Sequence, residues 1–179
     1  MANHVKTKIY APREVLDDII KNYVSEYKAK YVWDENRKFL DFQKIIPAPR
    51  YIFQWDLSSE DEKKYWPENC WYRWNTHNWW TKWNSWDFED YDDHIEIQTA
   101  WNTPLPIIRE LAMIYEWTEF LIKYADEDIW SNCWMFFING REIDEKEPFT
   151  TRDVFATMIR YNCSEKEAED IIENWYEEE

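Results

Sequence analysis

The stretch HIEIQTAWNTPLPIIREL, His94 to Leu111, decides the fold class. Its first half alternates strictly. Ile95, Ile97, Thr99 and Trp101 fall on one face, and His94, Glu96 and Gln98 on the other, the two-residue period of a half-buried strand. Thr103 before Pro104 then starts a helix, because proline supplies a fixed backbone angle where no donor is needed. Leu105, Ile108, Leu111, Ala112 and Tyr115 make its inner stripe. Thr99, Trp101, Pro104 and Pro106 are therefore expected to be structural, with the Trp101 ring buried between strand and helix.

The same alternation recurs on either side. Upstream, HVKTKIYA (His4 to Ala11) sets Val5, Thr7 and Ile9 against Lys6 and Lys8, a half-buried first strand. Pro12 opens a helix whose apolar positions, Val15 to Tyr27, keep helical spacing through about Lys28. DFQKIIPAPRYI (Asp41 to Ile52) holds two prolines and reads as an irregular, partly buried connection, and Asp56 to Lys64 as a solvated turn or short helix. Downstream, Phe120, Ile122 and Tyr124 alternate, Trp134 to Ile138 is a buried strand, and Asn139-Gly140 predicts a hairpin returning through Arg141 to Ile143. Thr150 with Asp153, and Ser164 with Glu167, have the spacing of capping boxes for two final amphipathic helices. The order predicts an α+β two-layer sandwich over residues 1–145, with a Trp-rich insertion at 56–94, and an acidic helical appendage at 146–179.

Composition excludes several functions. With Gly140 the single glycine, no phosphate loop, dinucleotide fingerprint or G-x-S-x-G elbow can be built. Cys70, Cys133 and Cys163 match no zinc or iron–sulfur spacing, so neither metal nor cofactor is expected. No apolar run approaches membrane-spanning length, which predicts a soluble protein in a reducing compartment. The 14 Trp and 12 Tyr provide the buriable area that a leucine-poor chain of net charge −16 needs in order to fold. Residues 1–50 carry ten Lys/Arg against seven Asp/Glu, whereas residues 142–179 carry four against thirteen. Such a surface repels nucleic acid over most of its area and attracts basic partners.

Five stretches resemble one family: ANHVKTKI (2–9), DFQKIIPAP (41–49), WNTHNWWTKWNSWD (74–87), TAWNTPLPIIREL (99–111) and KYADED (123–128). Together they look like the YubB-type proteins of plasmids and phages. The resemblance implies a ferredoxin-like βαββαβ domain over roughly residues 2–143 and a mobile-element origin, in the cytoplasm of a bacterial host. In one departure, Trp80 stands where the family usually has glycine, which puts in question any backbone geometry that needs glycine there.

Among candidate sites, Trp71, Trp74, Trp79, Trp80, Trp83 and Trp86 read first as core, with any exposed subset a contact patch beside Lys82. Asp87, Glu89, Asp90, Asp92 and Asp93 read as a solvated acidic loop, since a calcium loop would need a central glycine. Glu165, Glu169, Asp170 and Glu173 line an acidic helix whose spacing suits a basic groove on another protein. That helix is expected to dock its apolar stripe, Ala168, Ile171, Ile172 and Trp175, on the parent domain, with the acids outward.

The resulting expectation is a non-enzymatic protein, monomer or dimer, that binds and inhibits a basic, nucleic-acid-handling host protein such as a CRISPR effector nuclease. The acids would stand in for phosphates, with Trp79, Trp80 and Trp83 among the contacts. One alternative is a nucleic-acid-binding module, which requires Lys6, Lys8, Lys28, Lys30, Lys44, Arg73 and Lys82 to share a surface. Another is a hydrolase using carboxylates, for which 37 Asp and Glu supply many chance pairs and no motif.

Overall fold

A computed structural model describes residues 3–27, 37–54, 58, 60, 63, 64, 69–128 and 132–177. The expectation for Asp56 to Lys64, and the acids Glu178 and Glu179, lie wholly or largely outside the described residues. Strand β1 (His4–Tyr10) leads into helix α1 (Arg13–Tyr23), then β2 (Val24–Tyr27), β3 (Arg37–Leu40), the short helix α2 (Phe42–Ile45) and α3 (Trp71–Asn78). There follow β4 (Trp86–Asp90), β5 (His94–Ala100), α4 (Leu105–Ile114), β6 (Phe120–Asp126), β7 (Cys133–Asn139), β8 (Glu142–Lys146), α5 (Arg152–Tyr161) and α6 (Glu165–Glu177).

Six strands form one antiparallel sheet in the order β4-β5-β1-β6-β7-β8. Two βα units, β1-α1-β4 and β5-α4-β6, interleave so that β1 and β5 are central, which is the ferredoxin-like topology. The hairpin β7–β8 widens the sheet beyond β6. One face carries Ile9, Ile95, Ile97, Ile122, Phe136 and Ile138, packed with Leu16 and Ile19 of α1 and Ile108 and Leu111 of α4.

The other face is covered as well. Phe155, Ala156 and Ile159 of α5 pack on Ala125, Cys133 and Met135, and α6 packs through Ala168 and Ile172 on Val154. Glu165, Glu169, Asp170 and Glu173 are exposed as expected, but the helix packs on α5 in place of the parent domain, and Trp175 of the expected stripe is 39 % exposed beside Tyr161. β1 and β5 are therefore buried on both faces, not half-buried. Glu96 is 2 % exposed, and His94 and Lys8 are also buried.

Several local expectations change. The first helix stops at Tyr23, because Val24 takes an extended backbone and Val24–Tyr27 pairs with Arg37–Leu40. Tyr23, Val24 and Tyr27 favour strands as readily as they fit a helical stripe, so spacing alone misled. Asp41 caps α2 by accepting from the Gln43 N–H, which gives part of the irregular connection a helical turn. The supposed insertion ends in β4, a strand of the ferredoxin-like unit itself. The β7–β8 turn is Gly140-Arg141, since Asn139 pairs with Glu142, and Gly140 supplies the positive φ at the first turn position. Ser164 and Glu167 do form a capping box, whereas α5 starts after Thr151 without a side-chain cap.

Candidate functional site

Among the described residues strand β4 is hydrogen-bonded to β5 alone and is one edge of the six-stranded sheet, with β3 lying alongside it. The acidic run is thus not a loop. Asp87, Glu89 and Asp90 lie on this strand and Asp92 and Asp93 in the turn after it, all exposed. Consecutive acids concealed the strand from its sequence, and an irregularity between Trp86 and Glu89, with Asp87 at φ 48, breaks the alternation further. Charges along an edge also discourage pairing with another sheet. Asp90 is matched by Arg13 at 2.8 Å and Asp93 by His94 at 2.6 Å. Asp87, Glu89 and Asp92, and Glu165, Glu169, Asp170 and Glu173 of α6, make no ion pair with any described residue. Asn162, at the α5–α6 corner, donates to the Tyr91 hydroxyl and to Glu96, both at 3.2 Å, so the start of α6 stands beside the β4–β5 turn.

At the other end of β4 lies an aromatic patch. Trp79 is no contact residue. It is 2 % exposed, packed edge-on against Phe42 and Trp74, and its indole N–H donates to the Ile46 carbonyl at 3.0 Å. Trp80 and Trp83 are 46 % and 41 % exposed. Trp80 keeps the left-handed backbone, φ 64, that a glycine would favour, so the departure from the family pattern is carried as local strain. The Lys82 ammonium sits 4.4 Å from the Trp83 ring centroid, 5.8 Å from that of Trp101 and 5.9 Å from that of Tyr72. Trp101 is half-buried at φ 77, and not sealed between strand and helix, because β5 ends at Ala100 and the chain turns outward there. The Trp83 and Trp86 rings meet at 6.3 Å, joining this patch to the first residue of the acidic strand.

Behind the edge is an ion cluster that the alternation of β1 and β5 half disclosed, by putting Lys6, Lys8, His94 and Glu96 on polar faces. The register adds what sequence lacks: Lys8 pairs with Glu96 across β1 and β5. Glu96 accepts from Lys8 at 3.2 Å, Lys6 at 3.3 Å, His94 Nε2 at 3.1 Å and Asn162. His94 Nδ1 meets Asp93, and its ring is stacked between Tyr10 at 4.6 Å and Tyr91 at 4.5 Å. With a carboxylate at each nitrogen, both nitrogens can donate only when the ring is the imidazolium, which is the form the cluster favours. Burial opposes charge on Glu96, but His94, Lys6 and Lys8 outweigh it and hold the carboxyl at about 2. Burial likewise opposes charge on His94, and its bonds to Glu96 and Asp93 win, raising its pKa.

A pH dependence follows. Glu96, depressed in the folded state, contributes stability above its ordinary 4.5 that is lost as pH falls toward about 2. His94, raised, contributes stability below its ordinary 6.5 that is lost as pH rises through its folded value. Thermal melting across pH is expected to be highest between about 4.5 and 6.5 from this cluster and to decline on both sides. An NMR titration placing the His94 midpoint at or below 6.5 would refute the imidazolium assignment.

The described basic residues required by a nucleic-acid surface are mostly engaged elsewhere. Lys6 and Lys8 turn onto Glu96, Lys44 donates to the Val24 carbonyl and Lys82 lies among its aromatic rings, while Arg73 is exposed on α3. Lys28 and Lys30 lie outside the described residues. None of the three cysteines forms a disulfide. Among the described residues, no group of three or more His, Cys, Asp or Glu could hold a metal ion, and no helix is long and apolar enough to cross a membrane.

The acidic edge, the helix between β5 and β6 and the β7–β8 hairpin all fall within a segment that has a counterpart elsewhere. Residues 78–154 match the model of the ferredoxin-like domain in Api92-like protein. The matched segment holds Trp80, Lys82, Trp83, all of β4 to β8 and the start of α5, and excludes β1, α1 and α6. No curated protein and no solved structure matches the chain.

Proposed function

We propose that this protein acts by binding, not by catalysis, and that its partner is a host protein with a basic, nucleic-acid-binding surface. The observation that carries the reading is the juxtaposition along β4. Asp87 and Glu89 on the strand and Asp92 in the turn after it are exposed without ion-pair partners among the described residues, and exposed Trp83 stands at the strand's beginning against Trp86. Fixed acids steer a basic partner and reject acidic ones, while exposed aromatic rings supply the anchors that dominate interface energy.

The likeness to YubB-type plasmid and phage proteins supports a mobile-element setting in a bacterial cytoplasm. In its most specific form the proposal is an inhibitor of a defence nuclease, such as a CRISPR effector, whose guide or target groove the acids occupy in place of phosphate.

The test compares three proteins against a guide-free effector nuclease: wild type, the edge reversal D87K/E89K/D92K, and the helix reversal E165K/E169K/D170K/E173K. Wild type is expected to bind, more weakly as ionic strength rises, with tenfold or greater loss in the edge reversal, about 1.4 kcal/mol. Loss in the helix reversal too would assign α6 to the contact, and full retention there would make it a solubilising face. Binding that is indifferent to salt and survives both reversals overturns the reading, as does the absence of binding by wild type.

A further inference from the structure

We infer that the cavity between the sheet and α5 is a binding site for a small organic anion, with an oxyanion head between Lys8 and Lys123 and an apolar body under α5. The inference is independent of the proposed surface on β4. The cavity has a volume of about 350 Å³ and is lined by Lys8, Tyr10, Lys123, Phe155, Met158 and Ile159, with the ion cluster at its side.

Its charge is the first reason. In a chain of net charge −16, the cavity lining carries Lys8, Lys123 and His94 against Glu96, an excess of basic groups, with the exposed Asp93 beside His94. The register is the second. Lys8 of β1 and Lys123 of β6 are directly opposed cross-strand neighbours, an arrangement that destabilises a sheet when both are charged. Lys8 finds Glu96. Lys123 makes no ion pair with any described residue, and its ammonium rests 5.0 Å from the Tyr10 ring centroid. Burial and then the neighbouring Lys8 lower its pKa, and the carboxylate of Asp93 offsets this only in part.

An anion between the two ammonium groups would relieve the repulsion and the desolvation together. The third reason is the roof. Phe155, Met158 and Ile159 present apolar surface to the same cavity, so a bare inorganic ion would leave them unfilled. The ligand chemistry is therefore a carboxylate or phosphomonoester on a compact apolar or planar body.

The experiment is thermal melting of the whole protein titrated with benzoate, phenyl phosphate, inorganic phosphate and, for ionic strength, sodium chloride. Benzoate or phenyl phosphate is expected to raise the melting temperature saturably, by about 5 °C at a hundredfold excess over Kd, and inorganic phosphate by less. The stronger of the two organic probes identifies the head group. Lys123→Met keeps the stem and removes the charge, so it should melt no lower than wild type and lose the response. Should that variant fail to fold, Met158→Trp, which fills the cavity from the helix side, must lose the response instead. A wild type unmoved by either organic probe, a response matched by sodium chloride, or one that persists in the folded variant overturns the inference.

Discussion

Glu96→Leu is expected to lower the melting temperature by about 10 °C, corresponding to a loss of about 3–5 kcal/mol. The carboxylate is 2 % exposed and accepts from Lys6, Lys8, His94 and Asn162, so its removal leaves up to three cations facing one another beneath α5. The penalty comes from that uncompensated charge more than from any bond lost. The double variant Lys8→Met/Glu96→Leu should therefore recover part of the stability, since removing both members of a buried pair costs less than removing one. Asn162 also loses its Glu96 anchor, so the link between the helical corner and the β4–β5 hairpin should loosen. Equilibrium urea unfolding of the three proteins is the measurement. Equal midpoints for wild type and Glu96→Leu would mean that the cluster is solvated and does not hold β1, β5 and the helices together.

Trp79→Ala is expected to cost about 3–5 kcal/mol, whereas Trp83→Ala should cost less than about 1 kcal/mol. The two residues lie four positions apart in the same Trp-rich run, and burial alone separates them. Trp79 fills the space between Phe42 and Trp74, and its loss would leave both a cavity and an unmet Ile46 carbonyl. Trp83 touches Lys82 and the edge of Trp86 and is 41 % exposed, against 2 % for Trp79. Parallel denaturation of the two variants distinguishes core from patch, and equal losses would show that Trp83 is also structural. Trp83→Ala should then weaken partner binding while remaining folded, the separation that an anchor residue requires.

The sequence carried the order of elements because period and punctuation are local properties. Val5, Thr7 and Ile9, or Ile95, Ile97 and Thr99, alternate whatever lies above them, and Pro12, Pro104 and Ser164 mark helix starts by their own backbone chemistry. The α+β class followed from such marks, whereas the ferredoxin-like core came from the resemblance and not from period or punctuation. β4 escaped because a strand written almost entirely in acids and aromatics has no apolar alternation to read. β2 escaped because Val24 and Tyr27 also fit the stripe of the preceding helix.

What tertiary structure alone decided is which polar faces meet. Alternation put Glu96 and Lys8 on polar faces, and solvent was the expectation there, since nothing local announces a helix that arrives from residues 152–161. Once α5 covers that face, the same residues become a buried ion cluster on one side and a cavity with an unpaired Lys123 on the other. The division among the tryptophans has the same origin. Ring type and spacing are identical for Trp79 and Trp83, and the difference between core and contact surface is set by Phe42 and Ile46, more than thirty residues away in sequence. Burial is a property of neighbours, and neighbours of this kind are chosen by chain topology and not by the residue itself.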